Sequence, residues 1–130
     1  MIGIDTNVLV RILVDDTKAM EQCQIARDFV TQQDKVFIST TVLVETIWVL
    51  QRVYAVEKQQ LLDILNQLLL QKQLRFEHRL LIEKAVDIFQ TETFGFSDAL
   101  ILASNKAKDC HLYTFDKKLG KHANVSYIAG

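Results

Sequence analysis

The chain has 130 residues, 49% hydrophobic and 24% charged, and its 15 Lys plus Arg against 16 Asp plus Glu leave a formal charge of −1. These proportions fit one globular domain spanning residues 1–130 and exclude a disordered tail, a collagen-like rod and a small disulfide scaffold. Near-neutrality supplies no global field toward nucleic acid, so any such binding must rest on a local patch.

Met1 to Asp5 reads as a short buried strand ending at an acid, and a short helix starts around Val8 to Leu13. Thr17 is placed to cap a helix from Lys18 to about Gln32, with Ala19, Cys23, Ala26, Phe29 and Val30 on one face. Lys35 to Ser39 is a second strand. Ser39 or Thr40 then caps the most apolar helix, Val42 to Tyr54, and Glu57 to Gln71 follows with Leu61, Leu62, Leu65, Leu68 and Leu69 as its stripe. This hairpin carries more leucine and valine than one sheet face covers, so part of its stripe is expected to meet a partner helix or a second subunit. Leu74 to Glu77 is a third strand, and His78 to Thr91 is helical through Leu81, Ile82, Ala85, Val86 and Phe89. Gly95 breaks that helix, Ser97 caps Asp98 to Lys108, and His111 to Phe115 and Val125 to Ile128 complete five short strands. Strands alternating with helices predict parallel pairing and right-handed crossovers, hence an α/β sheet covered on both faces.

Cys23 and Cys110 stand apart without metal-type or C-x-x-C spacing, which predicts free thiols in a reducing compartment. The start lacks a basic, then long apolar, leader, and no run approaches the ~18 apolar residues of a membrane span, so the expectation is a cytoplasmic protein with no membrane partner.

In open parallel sheets ligands bind beyond the carboxyl ends of strands, where Asp5 and Asp116 stand. Each is equally a favoured cap or turn residue. Glu45 interrupts a helix apolar on most of its circumference and is expected to be buried, which requires protonation, a cation or a metal. Arg52, two turns on, offers a purely structural ion pair. Asp98 lies in the first turn of its helix, where the macrodipole alone favours an anion. Four acids in such settings, without a His and Cys cluster, suit Mg²⁺ or Mn²⁺ through oxygen ligands. A metal-activated water is then the expected nucleophile for phosphodiester hydrolysis, with Thr6, Asn7 and Thr114 beside the acids as supporting polar groups. His78, His111 and His122 are too scattered to serve as ligands.

Ile4-Asp5-Thr6-Asn7-Val8-Leu9-Val10-Arg11, Glu45 on its apolar helix, Ser97-Asp98-Ala99-Leu100-Ile101 and Thr114-Phe115-Asp116-Lys117-Lys118 together resemble the PIN domain, over nearly the whole chain. More narrowly the chain resembles stand-alone VapC-type toxins of toxin–antitoxin pairs. The resemblance implies a three-layer α/β/α fold with a central, mostly parallel sheet of about five short strands. It further implies a Mg²⁺- or Mn²⁺-dependent endoribonuclease with Asp5, Glu45, Asp98 and Asp116 as catalytic and metal-binding acids. Its expected partners are a tRNA or rRNA substrate, a cognate antitoxin and a second copy in a homodimer.

From Ser104 to His122 five lysines face two aspartates, and Lys117, Lys118 and Lys121 form the best local patch for RNA phosphates, with Arg11 as a further cation. Two other readings compete. A receiver-type signalling module shares the size and the Mg²⁺ but needs acids after other strands. A catalytically silent PIN scaffold that only binds a partner is disfavoured by the intact acid set.

Overall fold

All five expected strands form, each only two or three residues long: β1 Ile2–Gly3, β2 Val36–Ile38, β3 Leu74–Phe76, β4 Leu112–Thr114 and β5 Val125–Tyr127. The structure, a computed structural model, describes residues 1–129. Every pairing is parallel, with Ile2 opposite Val36, Val36 opposite Leu74, and Leu112 opposite Val125. The strands divide into a three-stranded sheet, β1-β2-β3, and a two-stranded sheet, β4-β5. A single five-stranded ladder was expected. β1 ends at Gly3 because the chain turns at once into a helix cap at Asp5, which leaves it a two-residue ladder with β2.

Six helices separate the strands: α1 Thr6–Leu13, α2 Met20–Thr31, α3 Thr40–Arg52, α4 Lys58–Leu70, α5 Arg79–Thr91 and α6 Phe96–Ala107. The result is a helix-rich α/β protein with parallel sheets. Among the described residues no helix is long and apolar enough to cross a membrane. The chain falls into two compact units, Met1–Arg79 and the part from Leu80 onward.

In the N-terminal unit the caps are local chemistry. Asp5 accepts the Val8 N–H at 3.1 Å to start α1, and Ser39 accepts the Val42 N–H at 3.2 Å to start α3. Gln60 Oε1 reaches back to the Glu57 N–H at 3.2 Å at the head of α4. Thr17 does not cap α2. Asp16 takes the Lys18 N–H at 2.9 Å instead, and the helix begins two residues later than expected, behind Ala19. Cys23, Ala26 and Val30 are the buried face of α2, while Phe29 stays outside it.

Leu61, Leu62, Leu65 and Leu68 of the α4 stripe are buried within this single chain, while Leu69 is half-buried and the neighbouring Leu70 is exposed. Burial of that many leucines is the dominant favourable contribution to this hairpin, at roughly 1.5–3 kcal/mol for each side chain. The accessible apolar surface nearby is a groove of about 430 Å³ that includes Ile4, Leu9, Ile12, Val30 and Ile64.

In the C-terminal unit, α5 buries Ile82, Ala85, Val86 and Phe89, and α6 buries Phe96, Ala99, Leu100, Leu102 and Ala103. Phe89 and Phe96 meet edge to face with centroids 5.8 Å apart, a favoured aromatic geometry. Gly95, not Ser97, is the residue that starts α6, and it offers no side-chain cap. A short 3₁₀ turn, Leu119–Lys121, follows β4 and carries Gly120 against Tyr127 of β5.

Candidate functional site

Asp5 stands just beyond β1, exposed, with one carboxylate oxygen occupied by the first turn of α1. Thr6, the first residue of that helix, donates its hydroxyl to Glu45 Oε1 at 3.0 Å, a bond across 39 residues that joins the head of α1 to α3. Glu45 is exposed, contrary to the burial expected of it. α3 is not apolar all round: it buries Leu43, Thr46, Ile47 and Leu50 and turns Glu45 to the other side. The polar group inside is Thr46, fully buried, whose hydroxyl donates to the Val42 carbonyl at 2.7 Å one turn back. Its self-satisfied hydroxyl removes the burial cost, and its small, neutral side chain gave no sequence signal. Glu45 pairs with Thr6 and not with Arg52. Asn7 is exposed in the first turn of α1.

In the C-terminal unit Asp98 is the third residue of α6, half-buried behind Gly95. Its carboxyl is held above the usual carboxylate range, first by burial and then by the negative charge of Asp116. Asp116 follows β4, where its Oδ1 accepts the Leu119 N–H at 3.0 Å and its carbonyl accepts the Gly120 N–H at 2.9 Å. Thr114 Oγ1 accepts the Asp116 N–H at 2.9 Å and so fixes the backbone from which that carboxylate projects. Thr6 and Thr114 therefore both touch a candidate acid, one through its side chain and the other through its backbone.

Asp5, Glu45 and Asp116 are each tethered through one oxygen, and among the described residues the second oxygen has no protein partner. A carboxylate fixed at one oxygen and open at the other is a good hard-cation ligand, and the raised Asp98 beside Asp116 is a like-charge pair that a cation relieves. No group of three or more His, Cys, Asp or Glu side chains is drawn together as a ready metal cage among the described residues. The three histidines are engaged elsewhere. His122 Nδ1 accepts the Asn124 N–H at 3.1 Å and its ring packs on Phe94, His111 bonds Ser126 at 2.8 Å, and His78 lies 3.8 Å from Glu77. Cys23 is a buried free thiol and Cys110 an exposed one.

Of the candidate phosphate contacts, Lys117, Lys118 and Lys121 are exposed in and beside the 3₁₀ turn that follows Asp116. Arg11 is different. Its Nε donates to Gln22 at 2.7 Å and its Nη1 to the Tyr54 hydroxyl at 2.8 Å, which in turn donates to Asp16 at 2.8 Å. The Arg11 guanidinium is thereby committed to holding α1, α2 and the segment just after α3 together.

No curated protein sequence matches this chain. Among solved structures it is similar to the crystal structure of Mycobacterium tuberculosis VapC20, a sarcin-ricin loop cleaving toxin, with 19% identity and a TM-score of 0.45 over 92% of this chain and 93% of that one. The family model of the PIN domain matches residues 2–125, nearly the full length. The chain belongs to the PIN domain family.

Proposed function

We propose that residues 1–130 act as one PIN domain with Mg²⁺- or Mn²⁺-dependent endoribonuclease activity, of the VapC toxin type. The observation that carries this reading is the state of the acids in a chain that belongs to a nuclease family: three carboxylates each keep one open oxygen, and a fourth, Asp98, is held in a raised state beside Asp116. On this reading Asp5, Glu45, Asp98 and Asp116 would hold the cation. When bound, Mg²⁺ or Mn²⁺ supplies the positive charge that polarises water and a phosphate oxygen for hydrolysis.

The chain's own groups set up that chemistry. Thr6 orients Glu45 through its hydroxyl, and Thr114 orients Asp116 through its backbone N–H. Asn7, exposed next to Thr6 in the first turn of α1, would supply a further amide. Lys117, Lys118 and Lys121 receive the phosphates flanking the scissile bond, a task for which the engaged Arg11 is poorly placed. The substrate class is a structured cellular RNA, tRNA or rRNA. A cognate antitoxin, a homodimer and a cytoplasmic site of action belong to the same reading.

The test is cleavage of total tRNA and rRNA by the purified chain with Mn²⁺, with chelator, and with Asp5→Asn and Asp98→Asn. Cleavage that needs the metal and disappears in both variants, with circular dichroism unchanged, is the expected result. Metal-independent cleavage overturns the metal-dependent mechanism, and no cleavage by the wild type overturns the nuclease reading and leaves a PIN scaffold that only binds partners.

A further inference from the structure

We propose that Trp48 is a base-stacking platform for single-stranded RNA on the exposed face of α3, an inference that rests on the ribonuclease reading above. Thr41, Glu45, Trp48 and Arg52 are all exposed, at i, i+4, i+7 and i+11, and so form one stripe opposite the buried Leu43, Thr46, Ile47 and Leu50. Trp48 is 55% exposed, although tryptophan is among the side chains most covered on average. Its indole makes no aromatic or cation–π contact among the described residues.

Its neighbours on the stripe decide what it fits. Glu45, tied to the head of α1 by Thr6, lies about 4.5 Å from it along the helix axis in one direction, and Arg52 lies about 6 Å away in the other. Arg52 forms no ion pair among the described residues. A subunit interface of useful size centres on a contiguous apolar patch, whereas here one large π-face sits between an acid and a free cation. That set matches a single nucleotide: the base stacks on the indole and an adjoining phosphate meets the guanidinium, while the chain passes toward Glu45. Stacking accepts any base, so the subsite positions unpaired RNA without reading its sequence.

Trp48 is the only tryptophan of the chain, so its fluorescence reports this position alone. A short dye-labelled oligoadenylate is titrated into the full chain in chelator, with anisotropy of the dye giving binding and indole emission giving contact; inorganic polyphosphate serves as the base-free control. The oligoadenylate is expected to quench the indole, and polyphosphate to leave it unchanged. Trp48→Ala is expected to weaken binding about tenfold and to raise KM more than it lowers kcat, whereas Trp48→Phe stays within about threefold of wild type. Arg52→Gln is expected to reduce the salt dependence of binding by about one phosphate contact. Binding with unchanged indole emission and an unchanged Trp48→Ala affinity overturns the subsite and leaves the ribonuclease reading standing. An oligomer that does not bind in chelator overturns the subsite, and a wild type that in addition cuts neither tRNA nor rRNA with Mn²⁺ overturns both. Emission that follows protein dilution and ignores RNA assigns Trp48 to an interface between copies and overturns the proposal.

Discussion

Asp98 and Asp116 are coupled: the charge of Asp116 adds to burial in holding the Asp98 carboxyl above its ordinary range. At neutral pH the metal-free protein therefore carries an anion its surroundings disfavour, against which the helix N-terminus returns only about 0.3–1 kcal/mol. Asp98→Asn is expected to raise the melting temperature of the chelated protein. In the wild type, Mn²⁺ at a hundredfold excess over its Kd is expected to stabilise by about 2.7 kcal/mol. In the variant most of that shift disappears. Thermal melts of both proteins with chelator and with Mn²⁺ decide it, and a variant less stable than the chelated wild type with an intact Mn²⁺ shift returns Asp98 to a helix-end role.

The Thr6 to Glu45 bond is a single hydroxyl contact at an exposed carboxylate. Thr6→Val keeps the shape and removes the donor, so stability falls by about 1 kcal/mol or less while Glu45 loses its orientation. Cleavage is expected to drop severalfold in kcat, with Thr6→Ser restoring it. Denaturant melts and single-turnover cleavage measure the two effects separately; equal activity in the valine variant removes Thr6 from the positioning of Glu45.

Which features were legible follows from where the competing physics lay. The helices are legible because their apolar periods are long, as in Leu61, Leu62, Leu65 and Leu68, and the strands because each is a brief segment with apolar residues that do not continue a helical period. Cap identity was less readable. Thr17 and Ser97 are both sound caps by type, yet Asp16 already holds the turn before α2, and the extended backbone at Gly95 starts α6 two residues earlier. Glu45 is exposed because it shares one side of α3 with Thr41, Trp48 and Arg52, a stripe masked in the sequence by valine and leucine elsewhere on the helix. The 3₁₀ turn after Asp116 had no apolar period to announce it, since three residues held by backbone and carboxylate bonds to Asp116 make it.

Two glycines of the C-terminal unit predict opposite outcomes. A Cβ on Gly120 would stand 2.8 Å from Tyr127 Cβ and 3.3 Å from its Cα, in a turn packed on β5. Gly120→Ala is expected to cost about 1–3 kcal/mol through that overpacking. At Gly95 nothing lies within 4 Å of such a Cβ, and φ −76 with ψ 175 suits any residue. Gly95→Ser adds the missing cap to α6 and reduces unfolded-state freedom, a gain of about 0.5–1 kcal/mol. Urea denaturation of both variants checks the signs, and a neutral Gly120→Ala would mean that β5 yields at Tyr127.

The Arg11, Tyr54 and Asp16 chain predicts an acid limb of stability in the N-terminal unit. The Tyr54 hydroxyl, then the Lys18 N–H and the Arg11 charge, hold the Asp16 carboxyl below its ordinary value of 3.8. A carboxylate with a depressed folded-state pKa binds fewer protons folded than unfolded. Its contribution is therefore complete above about pH 5 and is lost as pH falls through 3.8 toward the depressed value. Asp16→Asn is expected to be less stable than wild type at pH 7, by a margin that stays constant down to about pH 5 and shrinks below pH 4. Tyr54→Phe removes the largest cause and also frees Arg11 from its strongest partner, so it is expected to move the Asp16 titration back up toward the ordinary value. Carbon-detected NMR of the Asp16 carboxyl in wild type and Tyr54→Phe reads this directly. An Asp16 that titrates at the same pH in both proteins would show that Lys18 and Arg11 hold the carboxylate without the tyrosine, and the margin between wild type and Asp16→Asn would then persist in the Tyr54→Phe background.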